Sequence, residues 1–300
     1  MFEQLGLIGC GLMGGSFALA LKRAGLVKRV VGYSPSTATL QKALQLGIID
    51  EAATSALQAA SGADIVLVAV PVSATEATLQ AVHPVVTSQM LIMDVGSTKV
   101  DVLAAAQRAL NAQIGSFVPA HPIAGKEMAG VEHADAKLYQ GCQVILTPTT
   151  NTLDKQRQQA LDVWQALGCK VVQMSPEAHD AAFAAVSHFP HLLAFALMNA
   201  VTGQPQGQEF LSLAGPGFRD FTRIAASDPK VWRDILLSNR QQLLVQSQRL
   251  QTQLQAFEAL MLQGDGAALE ALIAQASSAR SQWHLKQHHH PNPHAEHPLH

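Results

Sequence analysis

Three glycines near the amino terminus have a spacing with a specific chemical use. Gly9, Gly11 and Gly14 form G-x-G-x-x-G within LGLIGCGLMGGS, residues 5–16, after a strand-like apolar run and before a helix-like one. Gly9 permits a tight turn, and Gly11 lets backbone N–H groups approach a pyrophosphate. Gly14 lets the helix sit close on the sheet, with its positive end facing the phosphates. Leu12 and Met13, inside the loop, and Val70 and Pro71, at the end of a later strand, are expected to line the same nucleotide. The second strand of such a unit normally ends on an acid that binds the ribose 2′-OH of NAD. Here VVGYSPST places Ser34 there, with Ser36 and Thr37 following. No carboxylate repels a 2′-phosphate, so NADP is weakly favoured over NAD. No arginine sits in the loop to make the preference strong, and the same hydroxyls could simply cap the next helix.

A second group of residues suits proton transfer and anion binding. They lie in DVGSTK (94–99), AHPIAGKE (120–127), SHFPH (187–191) and FRDFTR (218–223). The first two segments follow apparent strands, and ligands of a doubly wound sheet sit outside the carboxyl ends of its strands. Ser97 and His121 are therefore placed for chemistry beside a nicotinamide. A histidine is the natural base for a hydroxyl proton during hydride transfer at neutral pH. His188 and His191, three apart, lack the Cys, Asp or Glu companions of a metal site, so no metal is expected. Asp220 and Arg223 are also three apart; they form either a surface ion pair or a site where Arg223 clamps a carboxylate.

The elements that must carry these groups follow from periodicity. Residues 5–9, 29–33, 64–70, 91–95 and 117–120 read as strands, with two more at 143–147 and 170–174. Several are apolar throughout, as in parallel sheets covered on both faces, and Ala/Leu/Gln-rich helical segments alternate with them. From residue 175 the signals are helical: 176–200 with Pro190 inside it, 218–227, 229–263 and 267–283. Leu236, Leu243, Leu250, Leu254, Phe257 and Met261 form an apolar stripe. The expected architecture is α/β: a Rossmann doubly wound parallel sheet over 1–174, then an all-α domain over 175–286. Residues 287–300, rich in histidine, read as a disordered tail.

Composition narrows the function classes. The 300 residues carry a net charge of −2, so no basic surface points to nucleic acid or an anionic membrane. Only 14% of residues are charged, against an average of about 25%, which suggests surface buried between subunits or domains. The N-terminus shows no basic region before an apolar run, and the apolar stretches read as shorter than the ~20 residues of a membrane helix. Three cysteines without ligand spacing fit a reduced, cytoplasmic protein.

Taken together and in order, GLIGCGLMGGS, DVGSTK, HPIAGKEMAG, SHFPH and FRDFTRIA resemble the prephenate/arogenate dehydrogenase family of tyrosine synthesis, over about residues 4–280. The resemblance implies a nucleotide-binding domain followed by a helical domain that forms a homodimer. It implies oxidative decarboxylation of prephenate or arogenate with hydride transfer to NAD(P)+. By motif, His121 matches the catalytic base, with Ser97 its partner at the substrate hydroxyl. His191 and Arg223 match anchors of the substrate carboxylates, while Glu127, His188 and Asp220 match residues that orient these groups. Lys126 departs from the family's small hydroxyl residue at that place. No mutase or regulatory domain is expected beyond the helical part. The rival readings are a β-hydroxyacid dehydrogenase or imine reductase, and an NAD(P)-sensing module. The first usually carries a lysine or an Asp/Tyr where SHFPH stands; the second has no need of His121, Ser97 and Arg223 together.

Overall fold

The computed structural model describes residues 1–125 and 128–287, with side chains to residue 283. Six parallel strands form the main sheet: β1 (Phe2–Ile8), β2 (Val27–Tyr33), β3 (Glu51–Ala52), β4 (Ile65–Val68), β5 (Leu91–Asp94) and β6 (Phe117–Val118). Their order is β3-β2-β1-β4-β5-β6. The helices between them are α1 (Leu12–Arg23), α2 (Thr37–Gln45), α3 (Ala56–Ala60), α4 (Thr75–Val82) and α5 (Val100–Leu110). Leu5, Leu7 and Met93 join Phe17 and Trp164 in one apolar layer. Ile8, Val66 and Ile92 join Ala59 and Phe117 in the other. Burial on both faces explains why these strands read as unbroken apolar runs. The chain leaves β1 in both directions, to β2 and β4, so a crevice opens at the carboxyl ends of those two neighbours.

The last strands depart from the expected single sheet. The span 117–120 divides at Pro119 into β6, which closes the main sheet, and β7 (Ala120–Pro122), which starts another. Pro119 has no N–H for a ladder, and its carbonyl accepts from Thr147 N at 3.0 Å. β7 pairs antiparallel with β8 (Gln143–Leu146), and β8 pairs parallel with β9 (Lys170–Gln173), reached through α6 (Asp154–Ala166). The switch between sheets carries His121 past the end of β5. The short strand β3 escaped the periodicity because two residues show no period.

The helical part begins with α7 (Pro176–Phe183), whose N-cap Ser175 accepts from Ala178 N. A π-helical turn (Ala184–His188) then leads into α8 (Phe189–Thr202). Pro190 cannot donate to a residue in the preceding turn, and the wider turn accommodates it without ending the helix. The continuous run Pro176–Thr202 is therefore 27 residues long, and an 18-residue window within it has mean hydropathy 1.5. By length and composition it could cross a membrane, contrary to the shorter apolar stretches expected. Its polar residues His179, Asp180, His188 and His191 build the site described below. α9 (Gly207–Ser212), α10 (Pro216–Thr222) and α11 (Pro229–Ser238) follow. The helix expected over 229–263 is interrupted at Asn239, where α12 (Arg240–Gln263) begins; the buried Asn239 amide bonds to groups outside its own helix.

Two compact units meet in the chain at residues 244 and 245, the described part of the second running to residue 287. Within the second, α12 ends at Gly264, whose φ of +67° suits a residue without Cβ, and α13 (Gly266–Gln287) follows. Leu254, Met261 and Leu262 of the expected stripe and its neighbourhood are exposed on this chain. Of the His-rich tail, residues 288–300 lie outside the described residues.

Candidate active site

The glycine loop has the geometry its spacing predicts. Gly9 has φ +98°, and a Cβ there would meet Ala69 O at 2.2 Å. A Cβ on Gly14 would meet Gly9 O at 2.1 Å, so the helix sits against the turn. At Gly11 a Cβ would meet nothing within 4 Å. Gly11 is the N-cap of α1 and has no side chain to satisfy its N–H groups, leaving a cradle of donors for an anion. Tyr139 fixes this helix by donating to Met13 O at 2.7 Å.

The cradle opens into a groove of about 400 Å³. Gly11, Leu12, Met13, Val70, Pro71 and Ser97 all line it. Its opposite wall, unanticipated in the sequence, is α11, which contributes Val231, Trp232 and Ile235. Ser73 Oγ donates to Asp234 Oδ2 at 2.6 Å and ties that helix to the loop after β4. At the end of β2, Ser36 Oγ accepts from Thr39 N, so this hydroxyl caps α2. Ser34 Oγ accepts from Ser36 N at 3.4 Å, and Thr37 is the first residue of α2.

His121 sits on β7, 9% exposed. Its strand is held at both backbone groups of Ala120: N–H donates to Asp94 Oδ1 at 2.9 Å, and the carbonyl accepts from Lys99 Nζ at 2.7 Å. Asp94 and Lys99 also bind each other at 2.5 Å, fully buried, and between them in the chain lies Ser97. This ion pair thus registers the serine loop against the histidine strand. His121 Nδ1 lies 2.8 Å from His179 Nε2, and Phe183 flanks both rings. Burial holds the His121 imidazole well below its usual pKa, and the Lys99 charge pushes the same way. It is neutral at pH 7 and able to accept a proton.

The remaining predicted residues fall into two groups. Asn239 Nδ2 lies 3.0 Å from His188 Nδ1 and donates to Asp180 O at 2.8 Å. Burial lowers the His188 pKa to about 4, so it is a neutral, positioned ring. His191 Nδ1 lies 2.9 Å from Ser187 O and its ring stacks on Trp232, with centroids 3.6 Å apart. Trp232 therefore joins His191 to the groove. Burial lowers the His191 pKa, and the Arg223 charge adds to this effect, bringing the two predicted carboxylate anchors into one electrostatic neighbourhood. Asp220 is exposed, with its carboxylate 4.0 Å from Arg219 Nε. Glu127, with Lys126, lies outside the described residues. Among the described residues no three His, Cys, Asp or Glu side chains group as metal ligands.

Known proteins resemble this chain. Residues 17–173 match the family model "Prephenate dehydrogenase, nucleotide-binding domain", and residues 175–275 match "Prephenate dehydrogenase, dimerization domain". The chain belongs to the prephenate/arogenate dehydrogenase family. Among its relatives, prephenate dehydrogenase of Bacillus subtilis is 37% identical over 81% of this chain and 66% of that protein. Cyclohexadienyl dehydrogenase of Zymomonas mobilis is 35% identical over 81% of this chain and 83% of its own length. The crystal structure of prephenate dehydrogenase from A. aeolicus, in complex with hydroxyphenyl propionate and NAD+, superposes with a TM-score of 0.87. It has 35% identity and covers 94% of this chain and 98% of that one. As a member of this family the chain is an oxidoreductase of tyrosine biosynthesis, with a nucleotide-binding domain and a dimerisation domain.

His179, Asp180, Asn239 and Trp232 carry site geometry that motif reading missed. In the sequence His179 and Asp180 show only as a polar pair in a largely apolar helix, as a buried structural pair would.

Proposed function

We propose that this prephenate/arogenate dehydrogenase oxidises the ring carbinol of prephenate, arogenate or both, with His121 as general base. The supporting observation is a neutral, buried His121 on a strand clamped to the loop of Ser97, which lines the same groove as the glycine cradle. Gly9, Gly11, Leu12, Met13, Gly14, Val70 and Pro71 would hold a nicotinamide nucleotide; the open side of Gly11 fits a diphosphate. When bound, that nucleotide supplies the acceptor for the hydride of the ring carbon. His121 Nε2 takes the hydroxyl proton, and Ser97 hydrogen-bonds the same hydroxyl. His191 and Arg223 hold the carboxylates, stiffened by Trp232 beneath His191. His188 holds its place beside the Ser97 backbone, and Glu127 and Asp220 complete the set in our assignment. Loss of the ring carboxylate as CO₂ returns its bonding pair to the ring, which becomes aromatic.

We further propose that both NAD and NADP are used, with NADP weakly preferred. Ser36 is engaged as a helix cap, so this preference rests on Ser34 standing where an acid would repel a 2′-phosphate, more than on three free hydroxyls. In this reading residues 1–174 hold the nucleotide and residues 175–286 complete the substrate site and form a homodimer. The exposed Leu254, Met261, Leu262 and Ile273 support the homodimer. Three free cysteines suit a cytoplasmic setting. Turnover of purified protein with both substrates against both nucleotides tests the proposal. Reduction of nucleotide with prephenate or arogenate is expected; reduction with neither overturns it.

A further inference from the structure

We propose that His179 and Asp180 are positioning residues that fix the His121 tautomer, leaving Nε2 as the proton acceptor. This rests on His121 being the base. The chain of contacts runs inward from the helical wall. Asp180 Oδ1 accepts from Lys99 N at 2.8 Å and lies 2.7 Å from His179 Nδ1; Oδ2 accepts from Val100 N at 3.0 Å. With N–H donors on both oxygens the carboxylate is an acceptor only, so His179 Nδ1 carries a proton. Burial disfavours charge on His179 and keeps its ring neutral, although Asp180 opposes this. Its Nε2 therefore offers a lone pair. His121 Nδ1, 2.8 Å away, must donate to it, and in a neutral His121 the lone pair then resides on Nε2.

The geometry has little freedom to change this assignment. His179 is fully buried and stacks on Phe183, with ring centroids 4.5 Å apart. Asp180 caps the start of α5 while Asn239 holds its backbone carbonyl. The charged and titratable groups facing His121 are Lys99 from the loop before α5, His179 from α7 and His188 from the π-helical turn. Of these, His179 hydrogen-bonds the His121 ring directly. When His121 takes the substrate proton at Nε2, its Nδ1–H stays shared with His179, and the Asp180 charge two rings away stabilises the imidazolium. No proton need pass further.

The test is kinetic, on the full chain, with prephenate or arogenate as the turned-over substrate. His179→Phe fills the space but cannot accept the Nδ1 proton; we expect kcat to fall ~10²-fold or more, with KM and nucleotide Kd within threefold. His179→Gln retains an acceptor and is expected to recover to within tenfold of the parent. His121→Asn combined with His179→Phe is expected to be no slower than His121→Asn alone, because His179 acts only through His121. A His179→Phe kcat within threefold of the parent overturns the proposal, as do losses that multiply in the double variant. Should His179→Phe not fold, ¹⁵N-histidine NMR of the parent chain decides. His121 is expected to carry its proton on Nδ1 at neutral pH, with Nε2 unprotonated; a proton on Nε2 overturns the proposal. Normal turnover in His121→Asn would instead remove the base assignment itself.

Discussion

Replacing Lys99 with methionine probes the clamp beneath the site. The parent side chain is fully buried, with Nζ 2.5 Å from Asp94 Oδ2 and 2.7 Å from Ala120 O. Methionine keeps most of the stem's volume and removes the charge and both bonds. Breaking one side of a buried pair costs about 3–5 kcal/mol, chiefly for the charge left behind. Asp94 would still accept from Gly96 N and Ala120 N, which places the cost at the low end, about 3 kcal/mol. In a unit of this size each kcal/mol shifts Tm by ~2–4 °C, so a fall of roughly 6–12 °C is expected in a thermal melt followed by circular dichroism. Lys99→Met with Asp94→Leu should be no more stable than the single variant. An apolar pair would leave the Gly96 and Ala120 backbone groups unpartnered, at about 1–3 kcal/mol each. A fall under ~2 °C, or a double variant more stable than the single one, would refute this reasoning.

Three further outcomes follow from the same geometry. Gly11→Ala meets nothing within 4 Å and should leave Tm within ~2 °C while weakening nucleotide Kd at least tenfold. Gly14→Ala drives a Cβ into Gly9 O and should destabilise by up to ~3 kcal/mol, and equal effects of the two on Tm would contradict the loop geometry. Stability should fall on acidification, because a histidine kept neutral by burial favours the folded state fully above its unfolded pKa of 6.5 and loses that advantage as pH drops toward its folded value. For His188, at about 4, urea titrations at pH 7.5 and 5 should differ by about 2 kcal/mol, and His121, His179 and His191 act in the same direction; a flat profile counts against their burial as neutral rings. Ser34→Asp should raise the KM for NADP at least tenfold with little change for NAD, and equal changes for both would remove Ser34 from the 2′ position.

What the sequence disclosed and what it concealed differ by the range of the interactions. The glycine loop was legible because its work is local: strand, turn and helix are contiguous, and each glycine has its own steric reason. The parallel sheet was legible in apolar runs buried on both faces. The split at Pro119 was not legible: 117–120 reads as one strand, and nothing local says that the chain there leaves one sheet for another. His121 stood out by its place after a strand. Its partner His179 did not, because the hydrogen bond joins residues 58 apart and nothing in helix α7 alone distinguishes a site residue from a buried polar one. Trp232 and Asn239 were concealed for the same reason. Both read as members of one amphipathic helix, while their roles are to stack on His191 and to reach His188 and Asp180.

The most direct measurement is the turnover of His121→Asn with prephenate or arogenate, alongside its nucleotide affinity. A folded variant that binds nucleotide with parental Kd but reduces it ~10²–10⁴-fold more slowly is the predicted result. A variant that turns over within a few-fold of the parent would contradict His121 as the base.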